Sequence, residues 1–374
     1  MEIKVNPSIV EHFSSLQDHR IERHKKHQLI DIIVLSLSAV ISGAEGWKDI
    51  VEFGNSKLEW LRQFVPLENG IPVDDTVARI ISGLSTKGFQ DCFQSWIQSV
   101  AQVTEGEIIS IDGKTHRRSH DKKSGKKALH MVSAWANENN LVLGQVKTRE
   151  KSNEITAIPE LLKVLELKGC IVTIDAMGCQ EKIIEDIVDK EGGYAVAVKG
   201  NQGNLYNSII DFFDTAECNS FQGINYHYTE TLEKDHGRVE IRRYWISDNL
   251  ESIYNPQRWK NLAAIGMVES ERYVGDKMSI ERRYYILSFF EIALFANAVR
   301  SHWGIENKVH WVLDVTFKED DSRIRRGNAT HNMGVIRHMA LNLLKKEKAK
   351  RSLAGKRLRS AFNDEYRAKV LSAI

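Results

Sequence analysis

The feature that most constrains the fold is the order of apolar runs between residues 105 and 200. Three short β-rich runs, EIISIDGKT, ALHMVSAWAN and LVLGQVKT, follow one another, separated by a basic loop and by the turn at 137–140. A helical pattern (EITAIPELLKVLEL), a strand (CIVTIDA), a second helix (QEKIIEDIVDKEG) and a further strand (YAVAVKGN) come next. A meander followed by alternating helices and strands predicts an α/β core with a mixed sheet.

The regions on either side of this core differ from it in the spacing of their apolar residues. Residues 1–104 show helical spacing, and the apolar run 29–44 is too short to span a membrane, so we expect a buried helix there. The region is compatible with a plain helical bundle, which we slightly favour, and with a DNA-binding pair of helices. We therefore predict a helical N-terminal domain over 1–104 and an α/β domain over 105–374.

A second β-rich segment interrupts the predicted α/β domain. Three runs within 226–289, RVEIRRYWIS, LAAIGMVESERYV and ERRYYILSF, alternate apolar and charged residues, as antiparallel strands with one solvated face do. We interpret about 222–290 as an insertion, because the long helical pattern that follows it is needed to complete the core. The tail over 345–374 reads as helical and carries ten Lys or Arg against three Asp or Glu.

Composition narrows the function classes. Four cysteines without a CxxC pair argue against a zinc finger or a disulfide framework, and the N-terminus has no apolar signal region. We therefore expect a cytoplasmic protein that makes no membrane contact. The net charge of +2 is uninformative, but the loop GKTHRRSHDKKSGKK holds seven Lys or Arg against one Asp, which suits a polyanionic partner.

Two predicted strands end on an acid. Asp112 closes the first core strand and Asp175 closes the fourth, and functional groups of α/β sheets collect at strand ends. If these strands are neighbours, the two carboxylates repel each other unless a cation neutralises them. Oxygen ligands without a nearby Cys or an ordered His pair favour Mg²⁺ or Mn²⁺ over zinc. As isolated features, both acids would be ordinary strand-end caps.

A third ligand is expected from the long helix after the insertion. His302, Glu306 and His310 are spaced four residues apart and share one helix face. Glu306 is the candidate ligand, and the two histidines are interpreted as packing or hydrogen-bonding residues. The flanking Trp303 and Trp311 are interpreted as core residues. The local rivals of Glu306 are Asp314, Asp320 and Asp321.

The residues of five sequence stretches carry a family resemblance. They are IDGKTHRRSHD, TIDAMGCQ, AVKGNQGNL, HGRVEIRRYW and RSHWGIENKVHWVLDVTFKEDDSRIRRGNATHNMGVIRHMALNLLK. In this order they resemble the DDE transposases of bacterial insertion sequences, specifically the H-repeat-associated (ISAs-type) group. The resemblance covers nearly the whole chain and implies a ribonuclease H-like core with a catalytic, metal-binding triad of Asp112, Asp175 and Glu306.

The resemblance also implies an activity. Transposases of this kind use two Mg²⁺ or Mn²⁺ ions to cleave element ends and to transfer the freed strand into target DNA. The implied partners are double-stranded DNA and a second copy of the chain in a synaptic complex, in the bacterial cytoplasm or on the nucleoid. The alternatives from other classes are a decayed or domesticated DNA-binding protein and a metal-dependent nuclease without strand transfer.

The sequence departs from the broader family at two positions. Insertion-sequence transposases with a β-rich insertion carry an Arg four residues before the catalytic Glu and a Lys seven residues after it, where this chain has His302 and Leu313.

Basic residues elsewhere are expected to contact phosphates without reading sequence. These candidate DNA-binding residues are Lys114, Arg117, Arg118, Lys122, Lys123, Lys199, Arg323, Arg325 and Arg326.

Overall fold

The computed structural model describes residues 7–101, 105–116, 119, 128–148, 154–235 and 237–373 of the 374-residue chain. In these residues helices pack on a large mixed sheet, which confirms the predicted α/β class.

The N-terminal region is helical, as its spacing predicted. Its helices are α1 (Pro7–Ser14), α2 (Leu29–Ile41), α3 (Trp47–Ser56), α4 (Leu58–Leu61), α5 (Asp74–Gly83) and α6 (Thr86–Val100). Helix α2 is buried at every position except Ile30, which confirms the buried helix expected there. A fully enclosed helix can be apolar on all sides, which explains its hydropathy. No helix of the described residues has the length and apolar character needed to cross a bilayer.

The core strands follow in the predicted order. They are β1 (Ile108–His116), β2 (Leu129–Ala136), β3 (Leu141–Thr148), β4 (Ile171–Ile174) and β5 (Gly193–Val198). The first three form an antiparallel meander, while β4 pairs parallel to both β1 and β5. Helices α7 (Glu154–Lys163) and α8 (Glu181–Asp189) precede β4 and β5. Strand β4 is buried throughout, because a parallel strand inside a sheet is covered on both faces.

The second β-rich segment extends this sheet. After helix α9 (Gly203–Cys218), it forms β6 (Tyr226–Asp235), β7 (Arg238–Ser247), β8 (Ala264–Val274) and β9 (Lys277–Leu287). Strand β9 pairs antiparallel with β5, so the described strands have the order β3-β2-β1-β4-β5-β9-β8-β7-β6. Strand β6 is not among the three strands predicted for this segment. It is an edge strand with most positions exposed, so no apolar alternation marks it.

The long helix that follows β9 lies across the sheet. It consists of α10 (Ile292–Ile305), a π-helical turn (Glu306–His310) and α11 (Trp311–Val315). Helices α12 (Ala329–Lys346), α13 (Leu353–Phe362) and α14 (Asp364–Leu371) complete the chain, and α12 packs against α2, α5 and α6. Part of the basic tail is used internally: Arg357 Nη2 donates to the carbonyl of Val40 at 2.9 Å, and the guanidinium of Arg367 lies 3.9 Å from the centre of the Trp60 ring.

Candidate active site

The pairing of β1 with β4 sets the positions of the two aspartates. Ile111 is opposite Ile174, the last residue of β4, and Asp112 and Asp175 are the next residues on the two strands. Adjacent strands lie about 4.8 Å apart, so the backbone brings the two acids to one edge of the sheet. Asp112 lies in the middle of β1, which continues to His116, so the prediction that it closes the first core strand was wrong. It pairs with Ser133 of β2, whereas Asp175 follows β4 and caps the next turn.

Glu306 joins the aspartates at one cavity. The cavity, of about 190 Å³, is enclosed by β1, β4, β5, β9 and α10. Glu306 begins the π-helical turn, a local widening that occurs often at functional sites. It lines this cavity together with Asp112, Asp175 and Lys199, whereas Asp314, Asp320 and Asp321 do not.

The site disfavours the ionised form of Asp112. Burial raises the pKa of Asp112 to about 7, and the charges of Asp175 and Glu306 act in the same direction. One oxygen of Asp175, Oδ1, accepts a hydrogen bond from the backbone N–H of Met177 at 3.0 Å, which orients its carboxylate. Asp112 and Asp175 are half-buried and Glu306 is exposed at the cavity mouth, and a bound cation would compensate the charges that raise the pKa of Asp112.

The donor set matches a hard divalent cation. It consists of carboxylate oxygens only, and Mg²⁺ and Mn²⁺ prefer such ligands. Within the described parts of the chain, however, no three His, Cys, Asp or Glu side chains already stand close enough together to hold an ion. The three acids therefore share a cavity but have not converged to coordination distance.

The two histidines of the helix contact the site in different ways. His302 Nδ1 lies 3.0 Å from Thr173 Oγ1 of β4, and burial lowers the pKa of His302 to about 4. His310 Nδ1 lies 3.4 Å from Asp112 Oδ2, and burial lowers the pKa of His310 to about 3. Both rings are therefore neutral at pH 7, in keeping with their interpretation as packing or hydrogen-bonding residues.

The tryptophans differ from the expectation that both are core residues. Trp311 is 58% exposed, because the π-helical turn is followed by a helix that buries Val312 and Leu313 instead. Trp303 is half-buried and lines the acidic cavity, with the guanidinium of Arg283 4.8 Å from its ring centre. Arg283 and Tyr285, both on β9, also line the cavity and were missed in the sequence; their alternate positions in ERRYYILSF were the available signal.

Lys114 is placed differently from the other candidate DNA-binding residues. It is only 8% exposed, and its Nζ lies 2.6 Å from Asp314, 3.0 Å from Glu319 and 3.6 Å from Asp320. Lys114 faces inward because it is two residues after Asp112 and alternate residues of a strand share a face. Its charge is neutralised inside the protein, so the interpretation as a phosphate contact is corrected.

The remaining basic candidates fall into three groups. Lys199 is exposed and lines the acidic cavity. Arg323 and Arg326 are exposed and Arg325 is half-buried, on the segment before α12, and none of these three lines the cavity. Four further candidates lie outside the described residues: Arg117, Arg118, Lys122 and Lys123.

Comparison with protein families matches both halves of the chain. Residues 10–97 match the model of the domain associated with the transposase DDE domain, and residues 104–343 match the transposase DDE domain itself. The second match alone covers more than half of the chain and contains all three cavity acids.

Individual relatives extend the match to full length. The chain is 45% identical to "Putative transposase YncI" of Escherichia coli over 98% of this chain and 95% of that protein. It is 43% identical to "H repeat-associated putative transposase YhhI" of Escherichia coli over 100% of this chain and 99% of that protein. With two adjacent family domains matched in order and relatives similar from end to end, the chain belongs to the DDE transposase family, in its H-repeat-associated group.

Proposed function

We propose that this protein is a DNA transposase that cleaves the ends of its element and joins the freed strand to target DNA. The observation that carries the proposal is the common cavity of Asp112, Asp175 and Glu306. The second acid follows the first by 63 residues and the third follows by a further 131, so only the fold brings them together. The family to which the chain belongs gives this geometry its chemical meaning.

The three acids, Asp112, Asp175 and Glu306, would hold divalent cations, Mg²⁺ or Mn²⁺. Bound as a pair, the ions would supply Lewis-acid stabilisation of the attacking and leaving oxygens of a phosphodiester. The protein needs no covalent nucleophile for this reaction. Water first frees a 3′-hydroxyl at the element end, and that hydroxyl then attacks the target phosphodiester and releases the target's own 3′-oxygen.

Basic residues around the cavity suit a DNA backbone. Lys199 and Arg283 lie at the cavity wall and would contact phosphate oxygens there. Arg323, Arg325 and Arg326 would extend the contact, as would Arg117, Arg118, Lys122 and Lys123 of the basic loop. Such contacts are made to the backbone and carry no base specificity, so binding should weaken steeply with salt.

The fold supports the same proposal. A three-stranded meander followed by two parallel strands, with an acid in the middle of the first strand and an acid just after the fourth, is the arrangement expected of a ribonuclease H-like core. Strands β6–β9 would correspond to the β-rich insertion of such transposases. We further propose that two copies act together on paired element ends in the bacterial cytoplasm.

A strand-transfer assay tests the function. The purified protein is incubated with Mg²⁺, a labelled duplex that ends in a pre-cut 3′-hydroxyl of the element's inverted repeat, and a supercoiled target plasmid. Label covalently joined to the plasmid supports the transposase. Cleavage of an uncut end without joining would indicate a nuclease, and retention of the duplex without chemistry would indicate a DNA-binding protein that has lost catalysis.

A further inference from the structure

Beneath the three acids lies a second set of three polar residues. Ser110 is two residues before Asp112, Thr173 is two residues before Asp175, and His302 is four residues before Glu306. Two residues along a strand and four along a helix return to the same face. Ser110 and Thr173 are also direct partners in the β1–β4 pairing. Ser110, Thr173 and His302 are therefore arranged as the three acids are, but two residues earlier on each strand and four residues earlier on the helix.

One directed chain of hydrogen bonds joins this set. Thr173 Oγ1 donates to Ser110 Oγ at 3.2 Å, and Ser110 Oγ donates to the carbonyl of Ser301 at 3.2 Å. Because the single hydroxyl proton of Thr173 is used for Ser110, His302 Nδ1 is the donor in its 3.0 Å contact with Thr173. The chain thus leaves α10 at His302, crosses β4 and β1, and returns to α10 at Ser301.

A further residue completes this network. Asn137 Nδ2 donates to Ser110 Oγ at 2.8 Å and to the carbonyl of Ile108 at 3.1 Å. The Ser110 hydroxyl consequently has one acceptor and two donors, its full hydrogen-bonding capacity. Gly304 permits the close approach of α10, since a Cβ atom there would clash with Asn137 Oδ1.

The next layer, two residues earlier on each strand and four earlier on the helix, is apolar. Ile108, Ile171 and Ala298 occupy the equivalent positions there, and all three are buried in an apolar cluster. Apolar contacts would hold the helix on the sheet equally well, but they are non-directional. Hydrogen bonds fix both distance and angle. Those of the buried Ser110 and Thr173 hydroxyls offset the cost of desolvating these groups and fix the position of the helix on the sheet.

We propose that Ser110, Thr173 and His302 form a positioning layer that sets the spacing of the three acids for divalent cations. The inference rests on the proposed function, because it gives the layer a role only if the acids hold metal. It assigns His302, half-buried at the cavity wall, to orienting the helix that carries Glu306. The three are positioning residues: Thr173 and His302 also line the cavity, but the hydroxyls of Thr173 and Ser110 and His302 Nδ1 are engaged in hydrogen bonds within the protein.

Mn²⁺ binding to the DNA-free protein tests the proposal, measured by electron paramagnetic resonance titration. Thr173→Val keeps the shape of the side chain and removes the hydroxyl, and we expect it to raise the Mn²⁺ dissociation constant by about 10-fold or more. Thr173→Ser keeps the hydroxyl and should bind like the wild type. Thr330→Val is the matched control: it removes a buried hydroxyl of α12 that donates to the carbonyl of Ile324.

Further variants separate the possible failures. Unchanged Mn²⁺ affinity in Thr173→Val, with binding abolished in Asp112→Asn, overturns the positioning layer and leaves the proposed function standing. Unchanged affinity in Asp112→Asn overturns the metal site and with it the proposed function. If Thr173→Val does not fold, Ser110→Ala replaces it; weaker Mn²⁺ binding by that variant supports the layer, and wild-type binding overturns it.

Discussion

Asp112 and Asp175 lie side by side because Ile111 and Ile174, the residues before them, are the last partners in the parallel pairing of β1 and β4. The backbone, rather than any attraction between the side chains, therefore brings the two acids together. The consequence is electrostatic: burial raises the pKa of Asp112 to about 7, and the neighbouring acids add to this effect. The site is less stable when fully ionised and free of metal.

The first prediction concerns stability and pH in the absence of metal. Since the pKa of Asp112 is higher in the folded protein than its ordinary value of 3.8, ionisation opposes folding. Its contribution is most favourable below about pH 4 and is lost as pH rises to about 7. Asp112→Asn should therefore increase the free energy of unfolding at pH 8 by up to about 4 kcal/mol, with little change at pH 4.

Urea unfolding in EDTA from pH 4 to pH 8 measures this effect. Asp321→Asn is the control, because Asp321 is an exposed acid that does not line the cavity. Added Mn²⁺ should stabilise the wild type and not Asp112→Asn. Equal stability of the wild type and Asp112→Asn at pH 8 would show that burial and the neighbouring acids do not destabilise ionised Asp112.

The second prediction separates chemistry from DNA binding. Asp175→Asn keeps the hydrogen bond to Met177 N–H through its amide oxygen and removes the charge. We expect cleavage of an element end to fall below detection in Mg²⁺, while retention of the same duplex in a gel-shift assay stays near the wild-type level. Cleavage at the wild-type rate would rule out a metal-binding role for Asp175.

The third prediction distinguishes Glu306 from the nearby acids. Glu306→Gln should reduce cleavage at least about 100-fold, since removal of one transition-state charge contact typically costs several kcal/mol. The matched variant Asp321→Asn should leave the rate unchanged. A wild-type rate in Glu306→Gln, or a collapse of activity in Asp321→Asn, would mean that the third acid has been assigned to the wrong side chain.

The fourth prediction concerns the buried ion group behind the site. Glu319 is fully buried, and the charges of His116, Lys114 and Arg337 lower its pKa. Lys114→Met would leave Glu319 poorly compensated, so we expect a loss of about 3–5 kcal/mol in the free energy of unfolding. Lys199→Met, at an exposed lysine, should change stability little. Equal stability of the two variants in urea would contradict the structural role of Lys114.

The fifth prediction addresses the phosphate contact at the cavity. Lys199→Gln should weaken DNA binding and reduce the slope of log affinity against log salt by about 1, the value for one lost phosphate contact. Lys168→Gln removes an exposed lysine that pairs with Glu191 on the surface, and it should leave the slope unchanged. Fluorescence anisotropy at several salt concentrations measures both; an unaltered slope in Lys199→Gln would exclude the contact.

The sequence predicted much of this architecture from local signals. Apolar runs and their order identified the meander and the two α-β units, because strand and helix periodicities are properties of neighbouring residues. An acid directly after an apolar run marked both Asp112 and Asp175, although β1 continues to His116 and only Asp175 lies at a strand end. The edge strand β6 escaped because its exposed positions carry no apolar alternation.

Other features depend on contacts between distant residues. Lys114 belongs to a basic stretch in the sequence, yet it is buried against Asp314 and Glu319, about 200 residues away. Likewise, the π-helical turn and the exposure of Trp311 follow from how the helix lies on the sheet. Such pairings are decided by packing, which no local pattern encodes.

By itself, therefore, the sequence determined most of the elements and their order, the family, and two acids that follow apolar runs, since these depend on local periodicity and on recognisable motifs. Only the tertiary structure decided which acid of the long helical segment faces them and which lysine is buried. The reason is that strand register and helix docking depend on the whole core, and these set the direction of each side chain.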